Sequence, residues 1–190
     1  MIRFIKRSMV RVLVAVTNGS EEIELLTPLD LLRRCQAEVV LAASGNSLEV
    51  TLGKGVRIIA DDLISNVSNQ DFDMIVVPGG PGTGNLRDDP ILIEMLRRQK
   101  QSQKWYAAIC AAPALVFETH GLLEGEVGTC YPSCEKQLHN KSRVHDRVVV
   151  SNKCITSKGP GTAMEFALKL VEALYGQEKA DELSHTIVFR

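Results

Sequence analysis

Aromatic side chains are scarce in this 190-residue chain, at 5%, too few for a base-stacking surface. Excess charge of either sign is also lacking: 22 Lys and Arg stand against 23 Asp and Glu, a net charge of -1. Neither nucleic acid nor an anionic membrane is therefore an expected partner. The longest apolar stretch, 107–117, falls well short of the roughly 20 residues that span a bilayer. The five cysteines, Cys35, Cys110, Cys130, Cys134 and Cys154, form no CxxC pair. An odd, scattered set argues against a disulfide framework and for a reducing, cytoplasmic setting. Cys130 and Cys134 are four apart, but Pro132 and Ser133 intervene and no histidine pair has zinc-ligand spacing, so no metal is expected. No Walker-type GxxxxGK motif and no GxGxxG occurs, which leaves a nucleotide without its usual cradle.

What is present is an ordinary globular composition, 45% hydrophobic and 24% charged, with enough length for one self-sufficient core. Residues 1–9 are basic and contain no acid. They read as an N-terminal extension ahead of a single domain over 10–190, with a mitochondrial presequence as the competing reading.

Buried-strand runs alternate with amphipathic segments along the domain. Val10–Val16, Glu38–Ala43, Val56–Ala60 and Met74–Val77 are aliphatic runs of strand length, and a further run ends at Cys110. Helical spacing covers 21–34, 90–103 and 162–174, while 147–150 and 153–156 pair as a hairpin around Ser151-Asn152. This alternation predicts an α/β fold with a mostly parallel sheet, whose site opens at the carboxyl ends of the strands.

Three unusual turns follow strands and converge on that rim: 18–24, 78–84 and 109–113. In the last, Cys110 ends a strand, Pro113 opens a helix, and the small residues Ala108 and Ala112 stand two positions either side. That is nucleophile-elbow spacing. A thiol there lies near a helix N-terminus, which favours thiolate. The plain alternative is a core cysteine. Pro78-Gly79-Gly80-Pro81-Gly82 can turn backbone N–H groups toward a developing oxyanion, or can simply end a strand. Glu21, Glu22 and Glu24 suit the start of a helix as solvated acids. If one turns inward against Cys110, burial and the thiolate raise its pKa, and the two groups titrate as a coupled pair.

Four motifs occur in order: 18–24 (Asn-Gly-Ser-Glu-Glu-Ile-Glu), 77–80 (Val-Pro-Gly-Gly), 107–113 (Ala-Ala-Ile-Cys-Ala-Ala-Pro) and 156–162 (Thr-Ser-Lys-Gly-Pro-Gly-Thr). With them, residues 10–189 resemble the ThiJ/PfpI superfamily, in particular its branch of parkinsonism-associated deglycases and their plant and bacterial relatives. The resemblance implies a flavodoxin-like three-layer sandwich, a homodimer and no cofactor. It implies Cys110 as nucleophile, Glu24 as a protonated glutamate, and the backbone of Gly79, Gly80 and Ala111 around the sulfur. Tyr131 and Cys130 are the expected site-lining residues. Tyr131 stands where many relatives carry a histidine; a phenol with a pKa of about 10 is a poor base at neutral pH, which argues against a Cys-His-Glu triad. Lys158 replaces a common arginine and gives up its bidentate geometry. The implied function is a glyoxalase or protein deglycase acting on methylglyoxal-type α-oxoaldehydes or their protein adducts. The alternative is a redox-sensing chaperone whose Cys110 is oxidised to a sulfinate.

Overall fold

The computed structural model describes residues 9–189; the extension lies outside them except for Met9. Nine strands are ordered as β1 (Arg11–Val16), β2 (Glu38–Ala43), β3 (Glu49–Thr51), β4 (Arg57–Ile59), β5 (Asp62–Leu63), β6 (Met74–Val77), β7 (Trp105–Ile109), β8 (Val148–Ser151) and β9 (Cys154–Ser157). The helices are α1 (Glu22–Arg34), α2 (Ile64–Val67), α3 (Thr83–Arg87), α4 (Pro90–Gln101), α5 (Ala163–Tyr175) and α6 (Gln177–Thr186). Seven strands make one sheet in the order β5-β2-β1-β6-β7-β9-β8, parallel throughout except for the β8 edge. This is a flavodoxin-like sandwich.

Alternation along β1 explains why the sheet is covered on both faces. Val12, Val14 and Val16 join the core layer of α1, α5 and α6, while Leu13 and Ala15 join the opposite layer containing Leu92, Leu96 and Phe117. All five are fully buried, so the run is apolar at every position, as a strand packed on both sides must be. In-register pairing of Val12 with Val39 and with Met74 carries the same logic into β2 and β6.

Two expectations are corrected. The run 56–60 is not a buried sheet strand: β4 pairs only with β3 as a separate antiparallel hairpin, and Ile59 is 77% exposed. Its aliphatic residues divide: Val56 and Ile59 face outward, while Ala60 is buried and Ile58 packs against the core. The segment opened by Pro113 is a six-residue π-helical turn, Pro113–Glu118, and not a regular helix. The Thr119 hydroxyl donates to the Ala114 carbonyl at 3.4 Å, a five-residue reach that fits the wider turn. Helix α6 carries too few apolar residues to stand out in the sequence by helical spacing.

Candidate active site

The carboxyl ends of β1, β6, β7 and β9 bring the three turns and the 156–162 motif onto one rim. Cys110 follows β7 with a φ of 67°, a left-handed conformation unusual for a residue with a side chain. Hydrogen bonds hold it there from both sides. Its N–H donates to the Ser157 carbonyl at 2.9 Å, and its carbonyl accepts from the Tyr131 N–H at 2.7 Å. The side chain is left only 8% exposed.

The three acids of α1 separate by role. Glu21 is the N-cap, its carboxylate accepting from the Glu24 N–H at 2.8 Å. Glu22 accepts from the Lys54 N–H at 2.6 Å and so ties the β3–β4 hairpin to the helix. Glu24 alone turns inward, with 0% exposure. Its Oε2 accepts from the Gly79 N–H at 3.0 Å, and its Oε1 is buried with no hydrogen-bond partner.

Gly79 is required by contact. A Cβ at this position would lie 2.6 Å from the Cys110 Cβ and 2.8 Å from Glu24 Oε2. The N–H groups of Gly80 and Ala111 face the Cys110 sulfur. The expected backbone set therefore divides: Gly80 and Ala111 serve the sulfur, and Gly79 serves the glutamate.

Burial raises the Glu24 carboxyl from 4.5 to about 7; contact with the Cys110 thiol lowers it, the Glu21 charge raises it and the Gly79 N–H lowers it. Burial also pushes the Cys110 thiol up, helped by Glu24 and opposed by the Ala111 and Gly80 N–H groups. Burial therefore works against the expected thiolate and favours the neutral thiol. Desolvation is the largest influence on the thiol, ahead of the carboxyl beside it. Burial thus favours the neutral form of each group, and the two titrate as a coupled pair.

Tyr131 is 44% exposed, and its ring lies against Gly159. Cys130 does not open onto the site. It is fully buried, its thiol donating to the Tyr131 carbonyl at 3.5 Å, and burial raises that thiol to about 12. Lys158 pairs with Glu135 at 2.9 Å and donates to the Val144 carbonyl at 2.8 Å, so its charge is spent on the loop beside the site. His120 is held by the Arg87 carbonyl at 2.8 Å. No cluster of three metal-binding side chains occurs among the described residues. Sequence reasoning missed the bracket around Gly159, where the Thr162 hydroxyl donates to the Gly159 carbonyl at 2.9 Å and lies 2.6 Å from that of Ser157. Its signal was the Ser-Lys-Gly-Pro-Gly-Thr run itself.

A mostly parallel α/β sheet that brings an elbow cysteine and a buried carboxyl together at its carboxyl edge defines a class of cysteine-centred proteins. The DJ-1/PfpI family model matches residues 10–173, and the chain belongs to that family. It is 46% identical to the Arabidopsis thaliana protein DJ-1 homolog B over 92% of this chain but 40% of that protein's length. The chain thus spans less than half the length of the plant relatives it matches. It is 41% identical to the Caenorhabditis elegans glutathione-independent glyoxalase DJR-1.2, over 86% of this chain and 88% of that one. The structure of oxidized Toxoplasma gondii DJ-1 superposes with a TM-score of 0.92 at 46% identity, covering 94% of this chain and 98% of that chain.

Proposed function

We propose that this chain is a cofactor-independent glyoxalase acting on small α-oxoaldehydes such as methylglyoxal, free or as early protein adducts. The observation that carries the reading is Glu24, a fully buried carboxyl poised at about 7 against the elbow cysteine. A group that both takes and returns a proton works best with a pKa near the working pH. Glu24 carboxylate takes the thiol proton, and Cys110 sulfur adds to the aldehyde carbon. The new oxyanion meets the Gly80 and Ala111 N–H groups and collects that proton, giving a hemithioacetal. Glu24 then removes the former aldehyde hydrogen as a proton, giving an enediolate; return of that proton to the neighbouring carbon and transfer of the hydroxyl proton to its oxygen convert the hemithioacetal to a thioester. Water cleaves the thioester to lactate and regenerates the thiol. Atoms balance as aldehyde plus water giving hydroxy acid, with no external oxidant. The worm relative named as a glutathione-independent glyoxalase supports the assignment.

The test is lactate formation from methylglyoxal without glutathione. Cys110→Ala and Glu24→Ala are each expected to reduce it by about a hundredfold or more while preserving the fold. Wild type that forms no lactate ends the proposal. A second reading, oxidation sensing linked to a chaperone role, draws on the oxidized Toxoplasma relative. In it a hydroperoxide converts Cys110 stepwise to sulfinate, which the same two N–H groups would hold. Selective oxidation of Cys110 among the five cysteines is its test.

A homodimer is also proposed, through exposed Ile23 and Leu26 of α1 and Val56 and Ile59 of the hairpin that Glu22 ties to that helix. Among the described residues no helix is long and apolar enough to cross a membrane; a cytoplasmic location is part of this proposal.

A further inference from the structure

Tyr131 occupies a place that the proposed chemistry leaves without work. Its backbone is fixed on both sides: the N–H donates to the Cys110 carbonyl at 2.7 Å, and its own carbonyl accepts from the Cys134 N–H at 2.8 Å and the Cys130 thiol at 3.5 Å. A ring on so constrained a backbone has a defined seat, and that seat is Gly159. The point a Gly159 Cβ would fill lies 3.2 Å from Tyr131 Cδ2, 3.6 Å from Cε2 and 3.9 Å from Glu24 Oε1. Ring edge and carboxylate oxygen therefore both lie within 4 Å of the same point over Gly159. The oxygen is the one with no hydrogen-bond partner, while the tyrosine is half in solvent.

We propose that Tyr131 is a positioning residue: its ring, seated on Gly159, roofs Glu24 Oε1 and keeps water from it. This rests on the reading of Glu24 and Cys110 as the working pair. A buried carboxylate oxygen without a partner is costly, and keeping it dry favours the neutral acid. Water admitted at this point would solvate the carboxylate and release its proton at lower pH. The groups facing Glu24 are Cys110 from the end of β7, the Gly79 N–H after β6, and Glu21 on its own helix. Lys158, next to Gly159 in sequence, has its ammonium engaged by Glu135 and Val144. Beside the Cys110 contact, the Gly79 hydrogen bond and the Glu21 charge, covering by the ring is thus a further lever on Glu24. A tyrosine here would do by shielding what a histidine could do by proton exchange.

The experiment measures the iodoacetamide alkylation rate of Cys110 from pH 5 to 9, read on the Cys110 peptide by mass spectrometry. Alkylation needs no turnover, so failure of the glyoxalase reading would appear as missing lactate and leave this profile intact. Glu24→Gln identifies the inflection that belongs to the pair, near 7 in the wild type. Tyr131→Ala is expected to move that inflection down by about one pH unit, and Tyr131→Phe, which keeps the ring, to leave it in place. An unmoved inflection in Tyr131→Ala overturns the proposal. So does an equal shift in Tyr131→Phe, because the hydroxyl would then be the active part. If Tyr131→Ala fails to fold, Tyr131→Leu, which keeps apolar bulk but loses the ring edge at Gly159, replaces it; a downward shift supports the roof, and an unmoved inflection overturns it.

Discussion

Replacing Glu24 by glutamine tests the energetic core of the site without any assumption about substrate. The folded state holds this carboxyl at about 7 against an ordinary 4.5. A raised acid pKa means that the native chain binds more protons than the unfolded chain between these two values. Stability from this group is therefore greatest below about pH 4.5, falls as pH rises toward 7, and is level beyond. At about 1.4 kcal/mol per pH unit, the full fall is about 3 kcal/mol. Glutamine keeps the shape and can still accept from the Gly79 N–H, but it does not ionise. The quantity to follow is the stability of Glu24→Gln minus that of the wild type, from urea melts between pH 4.5 and 8.5. It is expected to rise by about 3 kcal/mol across that window in favour of the variant. The absolute offset depends on how the amide packs against Cys110, whereas the slope depends on ionisation alone. A difference that stays flat with pH would refute the reasoning, since Glu24 would then titrate in the folded chain as it does in the unfolded one.

Gly79→Ala, which would place a Cβ 2.6 Å from the Cys110 Cβ, is expected to cost about 1–3 kcal/mol in chemical melts and to slow alkylation of Cys110. Gly84→Ala, with only the Arg87 guanidinium at 3.9 Å, should be neutral or stabilising by up to about 1 kcal/mol in the same melts. Lys158→Met breaks a partly buried ion pair and a hydrogen bond to the Val144 carbonyl; about 1 kcal/mol lost in thermal or urea melts is expected after discounting for solvent screening. Ile59→Lys, on the exposed hairpin, should give a monomer by sedimentation while Cys110 reactivity is retained. A dimer that persists would place the interface elsewhere.

Much of the fold was legible because β1, β2, β6 and β7 are apolar at consecutive positions, a pattern that only a doubly covered sheet explains. Val56–Ala60 misled because β-branched composition does not say whether a strand's apolar side faces its own core or a surface. The site was legible as far as residue identity goes. Cys110 announces itself by its small neighbours, but nothing local marks Glu24 above Glu21 and Glu22. Those three differ only in where one turn of helix aims them, with Glu21 capping, Glu22 on the hairpin and Glu24 under Gly79. The thiol's protonation was illegible for a related reason. Local sequence suggests a helix dipole, while burial, which depends on the whole sheet, decides the sign.

The strained backbone at Cys110 can be understood from the same geometry. A side-chain-bearing residue at φ 67° costs roughly 1–2 kcal/mol and persists only where surrounding bonds over-determine it. Two backbone hydrogen bonds do so here, to Ser157 on β9 and from Tyr131 on the opposite side. The second also fixes the tyrosine whose ring lies on Gly159. The elbow that presents the sulfur and the cover over Glu24 are therefore parts of one hydrogen-bonded unit. A change that relaxes Cys110 toward ordinary backbone angles must also loosen Tyr131, which couples exposure of the sulfur to wetting of the carboxyl. In this arrangement nucleophile position and acid strength are set together, so a mutation that loosens the backbone of the 129–132 segment should alter both the rate and the pH dependence of Cys110 chemistry, never the rate alone.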